Sequence, residues 1–280
     1  MAEEEGRSAA AGQGASTARG AFAGFLDNPV VGMAPWIVFS LLVGPGRFEV
    51  AVALALGVSL VLVVGGRIAR PGTSWKLLEL ADLIFFAALS LVGLLADSGT
   101  LRWLETYAGE LSNIALVVIA FGSMALRTPF TLQYAREQVD RAHWNSPEFL
   151  RANYVITGVW GLAFLVSALA GAYGDLVLHN PNNLWTGWII QIAAIVAAVR
   201  FTVWYPEVVR ARAQGHEGGP LSPAALLTPV AGVLVPAGIA VLVFDGDLWW
   251  LGVALIVGGG ALTRALHRQA SRAPDGSAPA

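Results

Sequence analysis

Residues 127–158 read RTPFTLQYAREQVDRAHWNSPEFLRANYVITG, and they form the one long polar interruption in a chain of apolar runs. Charged side chains recur here at helical spacing, and the sequence then becomes apolar again. The apolar runs on either side are about as long as a membrane-crossing helix, which needs roughly 20 residues for roughly 30 Å of hydrocarbon. The stretch therefore predicts a polar connection between two membrane-spanning helices.

The composition supports lipid as the solvent of this protein. The chain has 280 residues, of which 56% are hydrophobic and 13% are charged, and its mean hydropathy is +0.63. A soluble domain carries about 25% charged residues, so this chain has too little polar surface to cover a globule in water. Its net charge of −2 gives no bulk attraction to nucleic acid.

Catalytic and metal-binding patterns are missing from the sequence. The chain has no cysteine, which excludes disulfides, thiolate catalysis and thiolate–metal sites. Its four histidines are scattered rather than spaced as ligand pairs, and we expect them to be solvated. No Ser-His-Asp arrangement, phosphate-binding loop or cofactor motif is present. The sequence therefore predicts a protein that is not an enzyme and binds no metal or cofactor.

Eight apolar segments are candidates for membrane-spanning helices, and they predict an all-α transmembrane bundle over residues 28–266. The candidates lie near residues 29–44, 49–66, 77–96, 107–126, 149–174, 184–204, 224–244 and 247–265. Pro229 and Pro236 interrupt the seventh, which a membrane helix tolerates when neighbouring groups satisfy the freed carbonyl. Residues 1–27 and 267–280 are polar and rich in small side chains, and we expect them to be disordered cytoplasmic tails.

The basic residues predict the orientation of these helices. With the N-terminus inside, fifteen of the seventeen Lys and Arg residues fall in cytoplasmic segments, and only Arg47 and Arg102 fall outside. Positive residues gather on the cytoplasmic side of membrane proteins, and a wrong number of crossings would scramble this alternation. The pattern therefore predicts a multi-pass protein of the inner (plasma) membrane with both termini in the cytoplasm.

The polar stretch itself predicts an amphipathic helix over residues 129–142 that lies in the inner membrane interface. Thr128 followed by Pro129 is a typical helix start, and apolar and charged side chains then take opposite faces. The Ser-Pro-Glu sequence at residues 146–148 starts the helix of the fifth span. We expect docking to lipid headgroups or cytoplasmic partners through Arg127, Phe130, Tyr134, Arg136, Arg141 and Trp144. A plain solvated linker helix is the alternative.

Polar residues within the predicted spans are costly and are therefore candidates for function. The candidates are Glu79, Asp82, Glu110, Asn113 and Gln191. Glu79 follows Lys76 by three residues, which places both on one helical face and predicts an interface ion pair. Asp82 lies about 9 Å along the helix from Lys76, at about 1.5 Å per residue. It is the most deeply placed acid and the best candidate for more than an interface charge.

Several short motifs resemble those of one family. They are Phe-Leu-Asp at 25–27, Lys-x-x-Glu at 76–79, Arg-Thr-Pro-Phe at 127–130, Leu-Arg-Ala-Asn-Tyr at 150–154 and Val-Trp-Gly-Leu-Ala-Phe at 159–164. Over residues 25–205 the chain resembles the intracellular septation protein A family of bacterial inner-membrane proteins, and it departs by adding two predicted helices after Tyr205. The resemblance implies a role in cell division and envelope integrity through protein partners, and it brings no catalytic residues.

Two hypotheses for function follow from the sequence. The first is a non-enzymatic protein that acts through protein or lipid partners in cell-envelope organisation or septation. The second is a small-solute or lipid transporter built from repeated hairpins, because residues 28–54 and 228–255 share Pro-Val-x-Gly and a later glycine turn. Chance similarity of apolar hairpins is the alternative to a true repeat. A water-accessible cavity lined by Asp82, Asn113 and Gln191 would favour transport, and a solid bundle would favour the first hypothesis.

Overall fold

The computed structural model describes residues 29–69, 75–180, 183–213, 234–235, 237–239, 241–242 and 249–270. All regular structure within these ranges is helical and none of it is strand, which confirms the predicted all-α class. Most of the predicted seventh span, half of the second copy of the proposed repeat, and the predicted tails up to residue 27 and beyond residue 270 lie outside the described residues.

We number in chain order the nine α-helices whose bounds fall within the described ranges; residues 234–235, 237–239 and 241–242 are also helical. They are α1 (Pro29–Gly32), α2 (Ala34–Leu42), α3 (Phe48–Ala69), α4 (Leu77–Leu95), α5 (Ser98–Ala125), α6 (Phe130–Gln138), α7 (Pro147–Leu176), α8 (Ile190–Ala213) and α9 (Trp249–Ala270). A short 3-10 turn at Arg141–His143 follows α6, and a wide π-helical turn at Trp185–Ile189 leads into α8. Helix α9 continues to Ala270, so the predicted C-terminal tail begins later than residue 267.

Among the residues that the structure describes, five helical segments are long and apolar enough to cross a membrane. They are Phe48–Ile68, Leu77–Leu95, Ser98–Ala125, Pro147–Leu176 and Trp185–Ala211, and Trp249–Ala265 is a shorter apolar helix. Large apolar side chains such as Leu94, which is 83% exposed, point away from the protein interior, as expected where lipid replaces water. These segments indicate a membrane protein, and the count of eight crossings stays a prediction.

The first predicted span, near residues 29–44, is divided into two short helices. Helix α1 ends at Gly32 and α2 begins at Ala34, with Pro35 in its first turn. Proline has no N–H to donate to the preceding turn, and the break falls at Met33, two residues before Pro35. Neither piece has the roughly 20 residues that a crossing helix needs, and α2 buries Trp36 and Phe39 inside the protein.

Helix α5 begins at Ser98, well before residue 107, where the sequence predicts the fourth span. Asp97 caps it, because its Oδ1 accepts hydrogen bonds from the backbone N–H groups of Gly99 (2.7 Å) and Thr100 (2.9 Å). The bonds from Thr100 and Gly99 also lower the pKa of Asp97, since they stabilise the ionised carboxylate. Hydropathy alone misses this start, because the first turns of α5 are polar and the cap precedes the apolar run.

The helix starts in the polar stretch follow two different patterns. Thr128 does not cap α6 as the sequence predicts: Pro129 directly precedes the helix, and the N–H of Phe130 donates to Ser123 Oγ at 3.1 Å. The cap therefore comes from the last turns of α5. The predicted helix start at Ser146-Pro147 is confirmed, because α7 begins at Pro147 and the N–H of Phe149 donates to Ser146 Oγ at 3.3 Å.

The chain divides into two compact units, one up to Gly158 and one from Val159. An aromatic cluster fills the first unit and consists of Trp36, Phe39, Phe48, Phe85 and Phe86. The rings of Phe39 and Phe86 are 5.4 Å apart between centroids, which ties α2 to α4. A Cβ added to Gly93 would lie 2.8 Å from Phe48 Cε1, so the glycine allows α3 and α4 to pack closely.

Small residues and hydroxyl groups also join the helices of the second unit. Trp160 of α7 donates its indole N–H to Thr202 Oγ1 of α8 at 2.9 Å. A Cβ added to Gly174 would collide with Thr186 Oγ1, so only glycine fits where α7 passes the wide turn. Polar side chains thus connect helices in this unit, as is common within a membrane.

Candidate functional site

Helix α4 begins with two opposite charges on one face. Lys76, directly before the helix, and Glu79, in its first turn, approach to 3.5 Å between Nζ and Oε1, which confirms the predicted ion pair. Both side chains are largely buried, with 8% and 15% of their surface exposed. Water therefore screens the attraction less than it would at an exposed position.

Asp82 continues the same face of α4 and is fully buried. The indole N–H of Trp36, 46 residues earlier in the chain, donates to Asp82 Oδ1 at 2.5 Å. The second carboxylate oxygen, Oδ2, is also buried and has no hydrogen-bond partner among the described residues. Asp82 is thus buried within the protein, and the sequence gives no sign that Trp36 of α2 is its partner.

Aromatic rings close the space around this hydrogen bond. The ring centroid of Trp36 lies 4.8 Å from that of Phe85 and 5.0 Å from that of Phe86. Phe86 is itself completely buried. The rings keep water away from the Asp82 carboxylate, and in such surroundings a hydrogen bond is stronger and an unpaired polar atom is more costly than at the surface.

Tyr134 of α6 covers the start of this face. Its side chain is 1% exposed, and Lys76 Nζ lies 4.6 Å from the centre of its ring, within cation–π range. A Cβ added to Gly32 would collide with the Tyr134 hydroxyl. Helix α1 therefore needs glycine at position 32, and the Gly32–Tyr134 contact lies one helical turn before Trp36.

The Tyr134 hydroxyl is buried and has no hydrogen-bond partner within the described ranges. Its burial raises the pKa of Tyr134 well above the ordinary value, and the negative charges of Glu79, Asp82 and Glu137 act in the same direction. The phenol therefore stays neutral through the physiological range.

A backbone contact fixes α6 against the start of α4. The N–H of Leu77 donates to Gln133 Oε1 at 2.5 Å. This N–H belongs to the first turn of α4 and has no partner within its own helix. Gln133 therefore supplies a cap from another helix, and it holds Tyr134 above Lys76.

A second buried polar group joins α6 to α7. Thr131 Oγ1 lies 2.8 Å from Thr157 Oγ1 and 3.1 Å from the carbonyl oxygen of Asn153. Asn153 in turn donates its amide to the carbonyl of Phe149 at 2.9 Å. Thr131, Asn153 and Thr157 are all buried. We call them the threonine cluster, and its hydrogen bonds are satisfied within the first unit.

The other polar residues predicted within the spans lie on α5 and α8. Glu110 and Asn113 lie one turn apart on α5, and both are partly buried. Gln191, in the second unit, donates its amide to the carbonyl oxygen of Thr186 at 3.0 Å and so supports the wide turn before α8. Under the transport hypothesis, Asp82, Asn113 and Gln191 would line a water-accessible cavity. The structure gives Asp82 and Gln191 separate local partners.

The predicted docking residues divide into buried and accessible ones. Phe130 and Tyr134 are each 1% exposed, because the apolar face of α6 packs against protein. Arg127 is exposed and has a positive φ of 60°. Arg136 and Arg141 lie 5.4 Å and 5.5 Å from the centre of the Trp144 ring. The interfacial position of this helix stays a prediction, and docking through Phe130 and Tyr134 would require their release from the interior.

Comparison with known proteins adds no relative. The chain matches no protein-family model, no curated protein and no solved structure at a significant level. Within the described ranges, no three His, Asp or Glu side chains come together as a metal site would require. The interpretation of this site therefore depends on its own geometry.

We predict that Trp36 and Asp82 are energetically coupled. Trp36→Phe and Asp82→Leu each leave one buried polar group unpaired, which costs on the order of 1–3 kcal/mol. The double variant should cost less than the sum, with a coupling free energy of about 1–2 kcal/mol. Thermal or denaturant unfolding in detergent micelles gives the free energy of unfolding of the wild type, the two single variants and the double variant. Asp82→Asn is the matched control, because its amide oxygen still accepts from the indole, and strictly additive costs would contradict the coupling.

A second prediction concerns alkaline pH and Tyr134. Because folding raises the pKa of this phenol above its ordinary value of about 10, its contribution to stability is complete below that pH and declines above it. Tyr134→Phe should therefore have the melting temperature of the wild type near pH 7. As the pH rises above 10, its melting temperature should fall less than that of the wild type. Tyr173→Phe, at a half-exposed position, is the control and should follow the wild type throughout. Equal alkaline losses in both variants would argue against a neutral, buried Tyr134.

Proposed function

We propose that this protein is a non-enzymatic, multi-pass protein of the bacterial inner membrane that acts through protein or lipid partners in cell-envelope organisation or septation. The observation that carries the proposal is the use of buried polar side chains to join helices. Asp82 binds Trp36, Thr131 binds Thr157, and Trp160 binds Thr202. Such contacts rigidify a membrane bundle, and a rigid bundle suits a protein that presents surfaces to partners.

The resemblance over residues 25–205 supports the link to septation. Two of its motifs lie at the structural contacts described above: Lys76 and Glu79 form the ion pair beside Tyr134, and Asn153 belongs to the threonine cluster. None of these contacts requires a substrate. They are compatible with a family that works by association rather than by chemistry.

Transport of a small solute or lipid is the second candidate. It is favoured by two buried oxygen atoms, Asp82 Oδ2 and the Tyr134 hydroxyl, which have no hydrogen-bond partner among the residues that the structure describes. An ionisable residue within a span is a functional candidate by default. A transporter would have to open the aromatic cluster to bring a solute to these atoms.

The proposal includes eight spans with both termini in the cytoplasm, which the distribution of Lys and Arg supports. We predict that single cysteines at Arg141 and Ser98 lie on opposite sides of the membrane. An impermeant thiol reagent added to intact spheroplasts should label Ser98→Cys and spare Arg141→Cys until the membrane is permeabilised. The natural chain has no cysteine and serves as the blank. The reverse labelling pattern would overturn the orientation.

Complementation of a deletion strain distinguishes the two candidate functions. If the protein acts through partners, Asp82→Asn should restore normal cell length and septum placement, because it keeps the contact with Trp36. A surface variant, Val139→Asp with Arg141→Glu, should fail, since both side chains are exposed. Leu94→Ala, on the outer surface of α4, is the control. Loss of function in Asp82→Asn at normal abundance and melting temperature would favour transport. Full function of the surface variant would contradict docking on this face.

A further inference from the structure

Contacts on both sides enclose the hydrogen bond between Trp36 and Asp82. Helices α1 and α2 lie alongside α4 and run in the same direction. One turn before Trp36, a Cβ added to Gly32 would lie 3.3 Å from a side-chain carbon of α4. One turn after it, the rings of Phe39 and Phe86 lie 5.4 Å apart between centroids. Water and counter-ions therefore reach the carboxyl only if α2 separates from α4.

Within this enclosure the Asp82 carboxyl receives one neutral hydrogen bond. Its Oδ1 accepts from the Trp36 indole at 2.5 Å, and Oδ2 has no hydrogen-bond partner among the residues that the structure describes. The side chain is completely buried. No ion pair joins it to a basic side chain within the described ranges. The surroundings thus supply one donor and no opposite charge.

The charges on the helices nearest Asp82 do not favour a negative carboxylate. Helices α1 and α2 carry no ionisable side chain. On α4, the positive charge of Lys76 is offset by Glu79, which lies 3.5 Å from it. Glu79 also precedes Asp82 by three residues on the same helical face. A second negative charge at that spacing opposes ionisation of Asp82.

The ionisable groups of the other neighbouring helices give no direct compensation. On α6, the Tyr134 phenol stays neutral, Glu137 is acidic, and Arg136 lies against the Trp144 ring at 5.4 Å. None of these, and none of the ionisable residues of α3 and α5, forms a hydrogen bond or ion pair with Asp82. Those of α3 and α5 are Glu49, Arg67, Arg102, Glu105, Tyr107 and Glu110.

A neutral carboxyl suits this position better than an ionised one. A buried charge without an opposite charge is so costly that the group takes up a proton instead, and an unpartnered hydroxyl costs far less. The hydrogen bond from Trp36 persists in the neutral form, because the carbonyl oxygen of a protonated carboxyl still accepts. That oxygen is Oδ1, which leaves Oδ2 as the atom that carries the proton.

We propose that Asp82 is a proton-binding site: Oδ2 holds a proton at neutral pH, and a neutral hydrogen bond from Trp36 to Oδ1 joins α2 to α4. The proton needs no permanent path from water, because the carboxyl takes it up as α2 packs against α4. Its loss to solvent leaves a charge with a single neutral donor and so favours separation of the two helices. This inference goes beyond the proposed function, since it requires no partner and no orientation in the membrane.

Infrared spectroscopy of the full-length protein in micelles near pH 7 tests the proposal. The wild type should show a C=O stretching band of a protonated carboxyl that Asp82→Asn lacks. Trp36→Phe should keep the band and move it to higher frequency, because the carbonyl oxygen loses its hydrogen bond. Asp140→Asn, which removes an exposed aspartate, is the matched control and should leave the band unchanged. Aspartate labelled with ¹³C in its carboxyl should lower the frequency of the wild-type band, which identifies it without any variant.

Unfolding by denaturant across pH detects the same proton independently. An aspartate in an unfolded chain releases its proton above about pH 4, so a folded protein that keeps it becomes less stable as the pH rises. Between pH 5 and 7, the unfolding equilibrium constant of the wild type should rise roughly tenfold per pH unit relative to that of Asp82→Asn.

Four outcomes would overturn the proposal. They are a wild type without the band, a band that persists in Asp82→Asn or does not respond to the label, an unshifted band in Trp36→Phe, and parallel pH profiles for the wild type and Asp82→Asn. All measurements use the isolated protein, so they are independent of the complementation experiment.

Discussion

The hydrogen bond between the Trp36 indole and Asp82 determines how the first unit is assembled. A carboxylate within a membrane helix needs a donor, because burial of an unpaired polar group costs several kcal/mol in hydrocarbon. The donor comes from α2, a helix of nine residues that is too short to cross by itself. This contact fixes α2 against α4, and it allows Phe39 to pack between Phe86 and Phe48. One polar contact therefore sets the register in which the apolar rings meet.

The polar stretch at residues 127–158 adds further contacts that hold the first unit together. Ser123 caps α6, Gln133 caps α4, and Tyr134 fills the space that Gly32 leaves free. The apolar face of α6, which is typical of a helix lying on lipid, packs on protein. The stretch interrupts the apolar runs because its charged side must stay at the surface while its other side closes the unit. The threonine cluster then ties this closure to the first turns of α7.

Local chemistry accounts for the parts of this structure that the sequence predicts. Hydropathy predicts the membrane class and five of the long helices, i,i+3 spacing predicts the Lys76–Glu79 pair, and Ser-Pro-Glu predicts the start of α7. The contacts that assemble the site lie between residues far apart in sequence, as Trp36 and Asp82 do. A tryptophan in an apolar segment does not reveal which acid its N–H will meet. The same reason explains the missed cap of α6, since Ser123 belongs to the preceding span.

The two candidate functions require different behaviour of Trp36. A protein that presents surfaces needs one arrangement, in which α2 stays packed against α4. A transporter needs at least two arrangements. A solute reaches Asp82 only after the Trp36 indole moves away from the carboxylate and Phe85 and Phe86 repack. Releasing α2 would also separate Gly32 from Tyr134, so the opening would extend to the end of the bundle. Each of these contacts favours the closed arrangement, which is the one that the proposed association through surfaces requires.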